Sequence, residues 1–442
     1  MADTYRRNGD QPAVIDTGAP IPVSVEYVEA QLTELWRDVA EVAQARGGVQ
    51  GVTTAQVLNL LIRAESPEAA ADYIKDVEQI TGHHPCRVIL MVLNQQEDLP
   101  VQARVSIHCQ LPPAGGRQVC CEQIWIESGV PSSRQIPAAV IPLLLSDLPV
   151  FLWWPRGAPF DDYLFRTLAD SLNRLIVDSA MFENPEGTLS KMAERIGKHW
   201  PNVAVSDMNW TRLLNWRELV ASFFDPPTMR PYLDRIDRVD IEFMLGGRRV
   251  VNRAQALLVS GWLASRLGWQ PVEPVYQLVR ASSDEPPTIR LSLQNGKRPV
   301  TITLTPHMAE AEVPGAIRSI RLEVAGQDVG GPQSGPEASF AVALADDAQG
   351  CAWVDMQVRG TSPTRRQVQL EKLTRAVLLD QELEVFSHDR VYEQALEMVG
   401  AFIQARSSRE TEGVRRITTG EPISAGAHRT RPPGTPPARP RG

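Results

Sequence analysis

The sequence lacks the glycine loops that cradle phosphates. No G-x-x-x-x-G-K-[S/T] stretch occurs, and no G-x-G-x-x-G follows a strand pattern. A G-x-S-x-G nucleophile elbow is missing as well. No catalytic residues, bound cofactor or metal site are therefore assigned, and the chain is expected not to be an enzyme. Cysteine is scarce, with five residues (Cys86, Cys109, Cys120, Cys121 and Cys351) at irregular spacing, which excludes a secreted disulfide scaffold. Positive charge is also short. Against 53 acidic side chains stand 45 basic ones, a net charge of −8, so the basic field that nucleic acid or an anionic membrane requires is absent. The longest apolar stretch, Ile136–Trp154, is interrupted by Pro137, Pro142, Asp147 and Pro149 and does not read as a membrane span. Met1–Asp16 is polar and has no signal-peptide core. Neither nucleic acid nor membrane is expected as a partner, and cytoplasmic residence is expected.

What is present is ample core for two or three domains over 442 residues. Residues 1–20 read as a flexible arm. Val28, Leu32, Leu35, Trp36 and Val39 then fall at helical spacing, with Ser24 as N-cap. Over 21–209, apolar β-branched runs alternate with amphipathic segments, the pattern of an α/β domain with a largely parallel sheet. Strands are predicted at Val57–Ala64, Cys86–Leu93, Val101–Gln110, Gln118–Ile126, Val150–Trp154, Arg174–Asp178 and Val203–Val205. Helices are predicted at Pro67–Ile80, Ser133–Leu145, Asp162–Leu172 and Thr188–His199. Residues 210–270 read as a helical connecting section containing a strand at Ile236–Leu245. There Asn252 and Gln255, at capping-box spacing, open a helix through Leu267. Residues 271–406 show period-two strands, a hairpin at Asn295-Gly296, and closing helices at Ser362–Leu378 and Asp389–Ile403, an α+β domain. The Arg/Pro-rich tail, 407–442, has too few apolar residues to offset ordering entropy and reads as disordered.

Candidate residues are few. His84 and Cys86 stand two apart, but adjacent His83 and His84 cannot share one face of regular structure, and no further ligand stands at recognisable spacing. Arg156, Asp161 and Asp162 follow Trp153-Trp154 at the end of a strand, where ligands sit in open sheets. Asp162 is also a good N-cap. Trp153 and Trp154 alternate sides, which places one in the core and leaves the other for a helix or a partner. These five residues form the candidate partner or ligand surface, with a sugar phosphate as the alternative occupant. For the cysteines, a hairpin of Cys86–Leu93 with Val101–Gln110 places Cys86 opposite Cys109. A return about Pro113–Gly116 brings Cys109 opposite Cys120, roughly 4.5–5.5 Å apart at Cα. Cys86, Cys109 and Cys120 then line one face and Cys121 the other, a set of candidate redox thiols.

Several segments resemble the glucose-6-phosphate dehydrogenase assembly protein (OpcA) family. They are His84-Pro85-Cys86-Arg87-Val88-Ile89, Cys120-Cys121-Glu122-Gln123-Ile124, Leu143–Pro155 with its Leu-Pro-x-x-x-Trp-Trp core, and Ala169–Ser179. The likeness runs from about Pro22 to Ile403, and the paired Cys120-Cys121 looks more like cyanobacterial than actinobacterial members. The resemblance implies a non-catalytic protein that binds glucose-6-phosphate dehydrogenase and promotes its active state, feeding the oxidative pentose phosphate pathway. It also implies thioredoxin as a partner for redox control. No cysteine follows Cys351, so such control would fall on Cys86, Cys109, Cys120 and Cys121.

Overall fold

A run such as Val88–Val92 offers no polar face to water and must be covered on both sides. The computed structural model describes residues 15–16, 20–45, 52–53, 56–95, 98–110, 118–195, 198–246, 250–280, 286–326, 336–345 and 350–419. The first half contains β1 (Ile15–Asp16), β2 (Ile21–Val23), α1 (Val28–Ala45), β3 (Val52–Thr53), β4 (Leu58–Ala64), α2 (Pro67–Ile80), β5 (Cys86–Asn94), β6 (Gln102–Gln110) and β7 (Gln118–Gly129). It continues with α3 (Ile136–Val140), β8 (Val150–Trp154), α4 (Tyr163–Leu168), β9 (Arg174–Val177), α5 (Pro185–Arg195), β10 (Ala204–Asp207), α6 (Met208–Thr211) and α7 (Leu214–Ser222). These strands form one ten-stranded sheet whose main path is β1-β6-β7-β5-β4-β8-β9-β10. From β7 to β10 every pairing on that path is parallel, and β6 runs antiparallel on β7.

That order corrects the expected hairpin. β5 is buried along almost its whole length and takes parallel neighbours on both sides, β4 and β7. β6, with polar Gln102, Arg104 and Gln110, lies one strand further out. Helix α1 covers one face through Val28, Leu32, Leu35 and Val39, and α2 covers the other through Ala70, Tyr73, Ile74 and Val77. The predicted helix Ser133–Leu145 is shorter. Pro137 is tolerated in the first turn of α3, but Pro142 sits in a following 3-10 turn and no continuous helix forms.

The second half contains β11 (Arg238–Leu245), α8 (Ala254–Leu267), β12 (Gln270–Val279), β13 (Thr288–Asn295), β14 (Arg298–Glu310), β15 (Ile317–Val324), β16 (Ala338–Leu344), β17 (Cys351–Val358) and β18 (Thr364–Gln369). Two helices, α9 (Arg375–Glu384) and α10 (Arg390–Thr419), complete it. An eight-stranded sheet, β12-β13-β14-β11-β15-β16-β17-β18, includes β11 near its centre rather than in a connecting section. The Asn295-Gly296 turn joins β13 to β14 with Gly296 at φ 60°, as the hairpin signature requires. The expected helix from Ser362 begins instead as edge strand β18, whose Thr, Arg and Gln side chains have no core face to bury; α9 starts only after Thr374 caps it. Asn252 caps Ala254 N–H at 2.8 Å, but Gln255 does not close a capping box. Its amide donates to Asn209 at 2.7 Å and accepts from Ile317 N–H at 3.1 Å, joining α6 of the first half to β15 of the second sheet.

Helix α8 crosses α10 so closely that a Cβ on Gly261 would lie 2.2 Å from the Ala395 carbonyl oxygen. Helix α9 returns to the first sheet and packs beside α2 with Leu378, Leu379 and Leu383. Helix α10 continues to Thr419, past the predicted start of the tail; the rest of that tail, 420–442, and residues 1–14 of the arm lie outside the described residues. Among the described residues no helix is long and apolar enough to cross a membrane.

Candidate functional site

Ligands of open α/β sheets sit beyond the carboxyl ends of the strands. Here the ends of β9 and β10 are filled by the chain's own polar groups. Asp178 accepts from the two terminal guanidinium nitrogens of Arg212 at 2.7 and 2.8 Å. Asp207 Oδ1 accepts the amides of Ser179 and Asn209, each at 2.9 Å. The Asn252 amide donates to the carbonyls of Ser179 and Ala180 at 3.1 and 3.0 Å. Burial, reinforced by the neighbouring Asp178 carboxylate, pushes Asp207 up to about 7. The turn from β4 to α2 is closed to phosphate for a different reason. Ser66 Oγ accepts the Ala69 amide at 3.2 Å, Pro67 has no N–H, and Glu65 and Glu68 add negative charge where an anion would bind.

The candidate surface after β8 is only partly a surface. Trp153 and Trp154 do alternate, but both are buried, Trp153 against Tyr73 on the α2 side and Trp154 in the core on the other side. Neither indole is available to a partner, because both faces of this sheet are covered. Arg156 is exposed and lies 3.6 Å from Glu65. Asp161 pairs with Lys191 at 3.2 Å and Arg195 at 3.0 Å, which hold its carboxyl below the usual range. Asp162 caps α4 through the Leu164 amide. Arg156, Lys191 and Arg195 all face carboxylates, so no cationic cluster is assembled for a sugar phosphate.

The cysteines fall into two pairs, not a row of three. Cys109 and Cys120 are directly opposed on β6 and β7 and form a disulfide on the α1 side. Cys121 faces the other way, as alternation requires, and its sulfur lies 3.3 Å from that of Cys86. Cys86 is not opposite Cys109, because β7 stands between β5 and β6. The contact with Cys121, together with burial, pushes the Cys86 thiol well up. Next to them Arg87, itself buried, binds Glu122 at 2.6 Å, Glu29 at 2.5 Å and the Leu143 carbonyl at 2.9 Å. Glu122 also accepts from Trp36 Nε1 at 2.6 Å, so this cluster ties α1 to the sheet. Asn59 grips the turn before β8 through Leu145, donating at 3.1 Å and accepting at 2.8 Å, beside Asp147 at φ 68°.

Sequence reasoning missed these buried clusters. The signal for one of them was present: Asp178 and Asp207 each end an apolar strand run and cap the turn that follows.

The second sheet leaves one face uncovered by any helix among the described residues. On its inner side Val239, Ile241 and Phe243 of β11, Ile302 of β14 and Val342 of β16 enter the core. The outer side carries Asp240, Glu242, Thr303, Arg321, Trp353 and Asp355, which are only half-buried or exposed. Arg365 stacks over Trp353 at 4.2 Å and reaches Asp355 at 3.3 Å.

Residues 77–194 match a family model described as the glucose-6-phosphate dehydrogenase subunit N-terminal domain, and residues 203–396 match the corresponding C-terminal domain. A Synechocystis relative named as an OxPP cycle protein, OpcA, is 31% identical over 359 residues, covering 78% of this chain and 70% of the relative. The Nostoc punctiforme protein of the same name is 30% identical over 358 residues, 79% of this chain and 70% of that one. Among solved structures, a glucose-6-phosphate dehydrogenase in complex with its substrate glucose-6-phosphate overlays with a TM-score of 0.42 and 9% identity, over 83% of this chain and 93% of that one. That overlay is too slight to carry an argument about activity. On the sequence matches, the chain belongs to the OpcA family, the family of glucose-6-phosphate dehydrogenase assembly proteins.

Proposed function

We propose that this chain is a non-catalytic partner that binds glucose-6-phosphate dehydrogenase and promotes its active oligomer, supporting the oxidative pentose phosphate pathway. The observation that carries the reading is the match of both halves to domains described as glucose-6-phosphate dehydrogenase subunit domains. The crevice at the ends of β9 and β10 supports the non-catalytic part, since Asp178, Asp207 Oδ1 and the Asn252 amide are already engaged by the chain's own groups. An activator must hold the active form of its target more tightly than the inactive form. We assign that contact to the open face of the second sheet around Trp353 and Arg365. Stacked Trp and Arg side chains are the residue types most enriched at binding hot spots.

The test is to mix the chain with purified dehydrogenase and follow KM, kcat and particle mass together. A lowered KM with a shift to a larger species is expected. Unchanged kinetics and mass at saturating partner sink the proposal, and thermal stabilisation by sugar phosphates alone would point to a small-ligand protein instead.

Cys86, Cys109, Cys120 and Cys121 are the place we assign to redox input, with thioredoxin's dithiol supplying the two electrons and two protons that open a disulfide. Thiol counting is expected to find Cys86, Cys121 and Cys351 free before reduction and all five afterwards. Equal counts in the two states remove the assignment.

A further inference from the structure

His84 lies in the irregular turn that leads from α2 into β5, and its ring is mostly buried. Its Nε2 makes no hydrogen bond among the described residues, although Asp380 Oδ1 of α9 is only 3.2 Å away. A nitrogen and a carboxylate oxygen that close, yet not aligned for a hydrogen bond, are arranged like two ligands aimed at a common third point. Bonds of about 2.0–2.1 Å in a tetrahedral shell set ligand atoms roughly 3.3 Å apart. Glu384 stands one helical turn beyond Asp380, on the same face of α9. Ligand atoms of His84, Asp380 and Glu384 all lie within 4.8 Å of one another.

Charge points the same way. Two carboxylates one turn apart repel, and among the described residues neither Asp380 nor Glu384 pairs with a lysine or arginine. His83, which shares the irregular turn, places Nδ1 3.2 Å from Asp380 Oδ1. The rule that adjacent histidines cannot converge holds for regular strands and helices and does not apply in this turn. His83 supplies the kind of outer hydrogen bond that orients a ligating carboxylate.

We infer that His84, Asp380 and Glu384 bind one first-row divalent metal ion that clamps α9 to the turn before β5. One imidazole and two carboxylates balance a dipositive charge and leave a position for water, a donor set that suits zinc. Sequence spacing hid the site, since its ligands come from the turn before β5 and from α9, at opposite ends of the chain. The ion's role would be mechanical. It holds the returning C-terminal segment against the first sheet, beside the Arg375–Asp76 ion pair that already links α9 to α2.

The test uses the full chain, stripped with a chelator and titrated with zinc alone. One saturable zinc per chain is expected, together with a higher melting temperature and slower hydrogen exchange along α9. H84A, D380N and E384Q should each weaken zinc binding by about tenfold or more. E384Q changes an exposed helix position, so it remains informative should H84A fold poorly. Cobalt in place of zinc should show ligand-field bands without thiolate charge transfer, which separates this site from Cys86 and Cys121. No saturable zinc, unchanged affinity in E384Q and D380N, or a thiolate band that C86S removes would each overturn the inference.

Discussion

β5 and β11 are both interior strands, yet they carry opposite instructions. β5 is buried along almost its whole length, and each face of its sheet is covered by helices. β11 alternates, with Val239, Ile241 and Phe243 in the core and Arg238, Asp240 and Glu242 outside it. The enclosed sheet commits its side chains to packing, and Asp178, Arg212, Asp207 and Asn252 at its strand ends engage the chain's own groups. The outer face of the half-open sheet keeps charged and aromatic groups that pack against no helix among the described residues. Sensitivity to cavities and sensitivity to partner loss should therefore fall on different sheets.

The largest expected effect is in the enclosed sheet. Trp153→Ala removes a fully buried indole packed against Tyr73 and should cost about 3–5 kcal/mol in denaturant unfolding. A loss below about 1 kcal/mol would mean that this sheet is less tightly packed than its burial indicates.

A middle effect concerns the polar plug. Asp207, pushed up to about 7, keeps a proton in the folded chain that the unfolded chain, with the ordinary value of 3.8, releases. Its contribution is fully present below the unfolded value and is lost as pH rises through the folded one. The slope between them is at most about 1.4 kcal/mol per pH unit. Asp207→Asn should remove this fall, so the variant gains on the wild type between pH 4 and 8. Parallel stability curves would show that the plug does not store a proton.

The smallest stability effect should come from the open face. Arg365→Ala loses an exposed pairing with Asp355 and the stack on Trp353, and should change stability by only about 0.5 kcal/mol. If the face is the docking surface, the same variant weakens dehydrogenase binding by about tenfold or more. Full binding by R365A would move the contact elsewhere and collapse the division between the sheets.

Local pattern carried much of the architecture. The apolar faces of α1 and α2, the runs of β4, β5 and β8, and the turn at Asn295-Gly296 are written in spacings of two to four residues, the range over which one element settles its own geometry. The resemblance at His84–Ile89, Cys120–Ile124 and Leu143–Pro155 supplied the family, and the fold gives those residues structural work around Arg87, Glu122 and Asn59. Tertiary structure alone decided who faces whom. β7 rather than β6 lies beside β5 because a strand buried on both faces takes interior neighbours, and that choice set Cys86 against Cys121, whereas Cys109 against Cys120 was already legible in the local return from β6 to β7. It also buried both Trp153 and Trp154, and it carried α9 back across the chain to His84. Pairings of this kind depend on which covered surfaces fit together over hundreds of residues, and periodicity within one segment does not encode them.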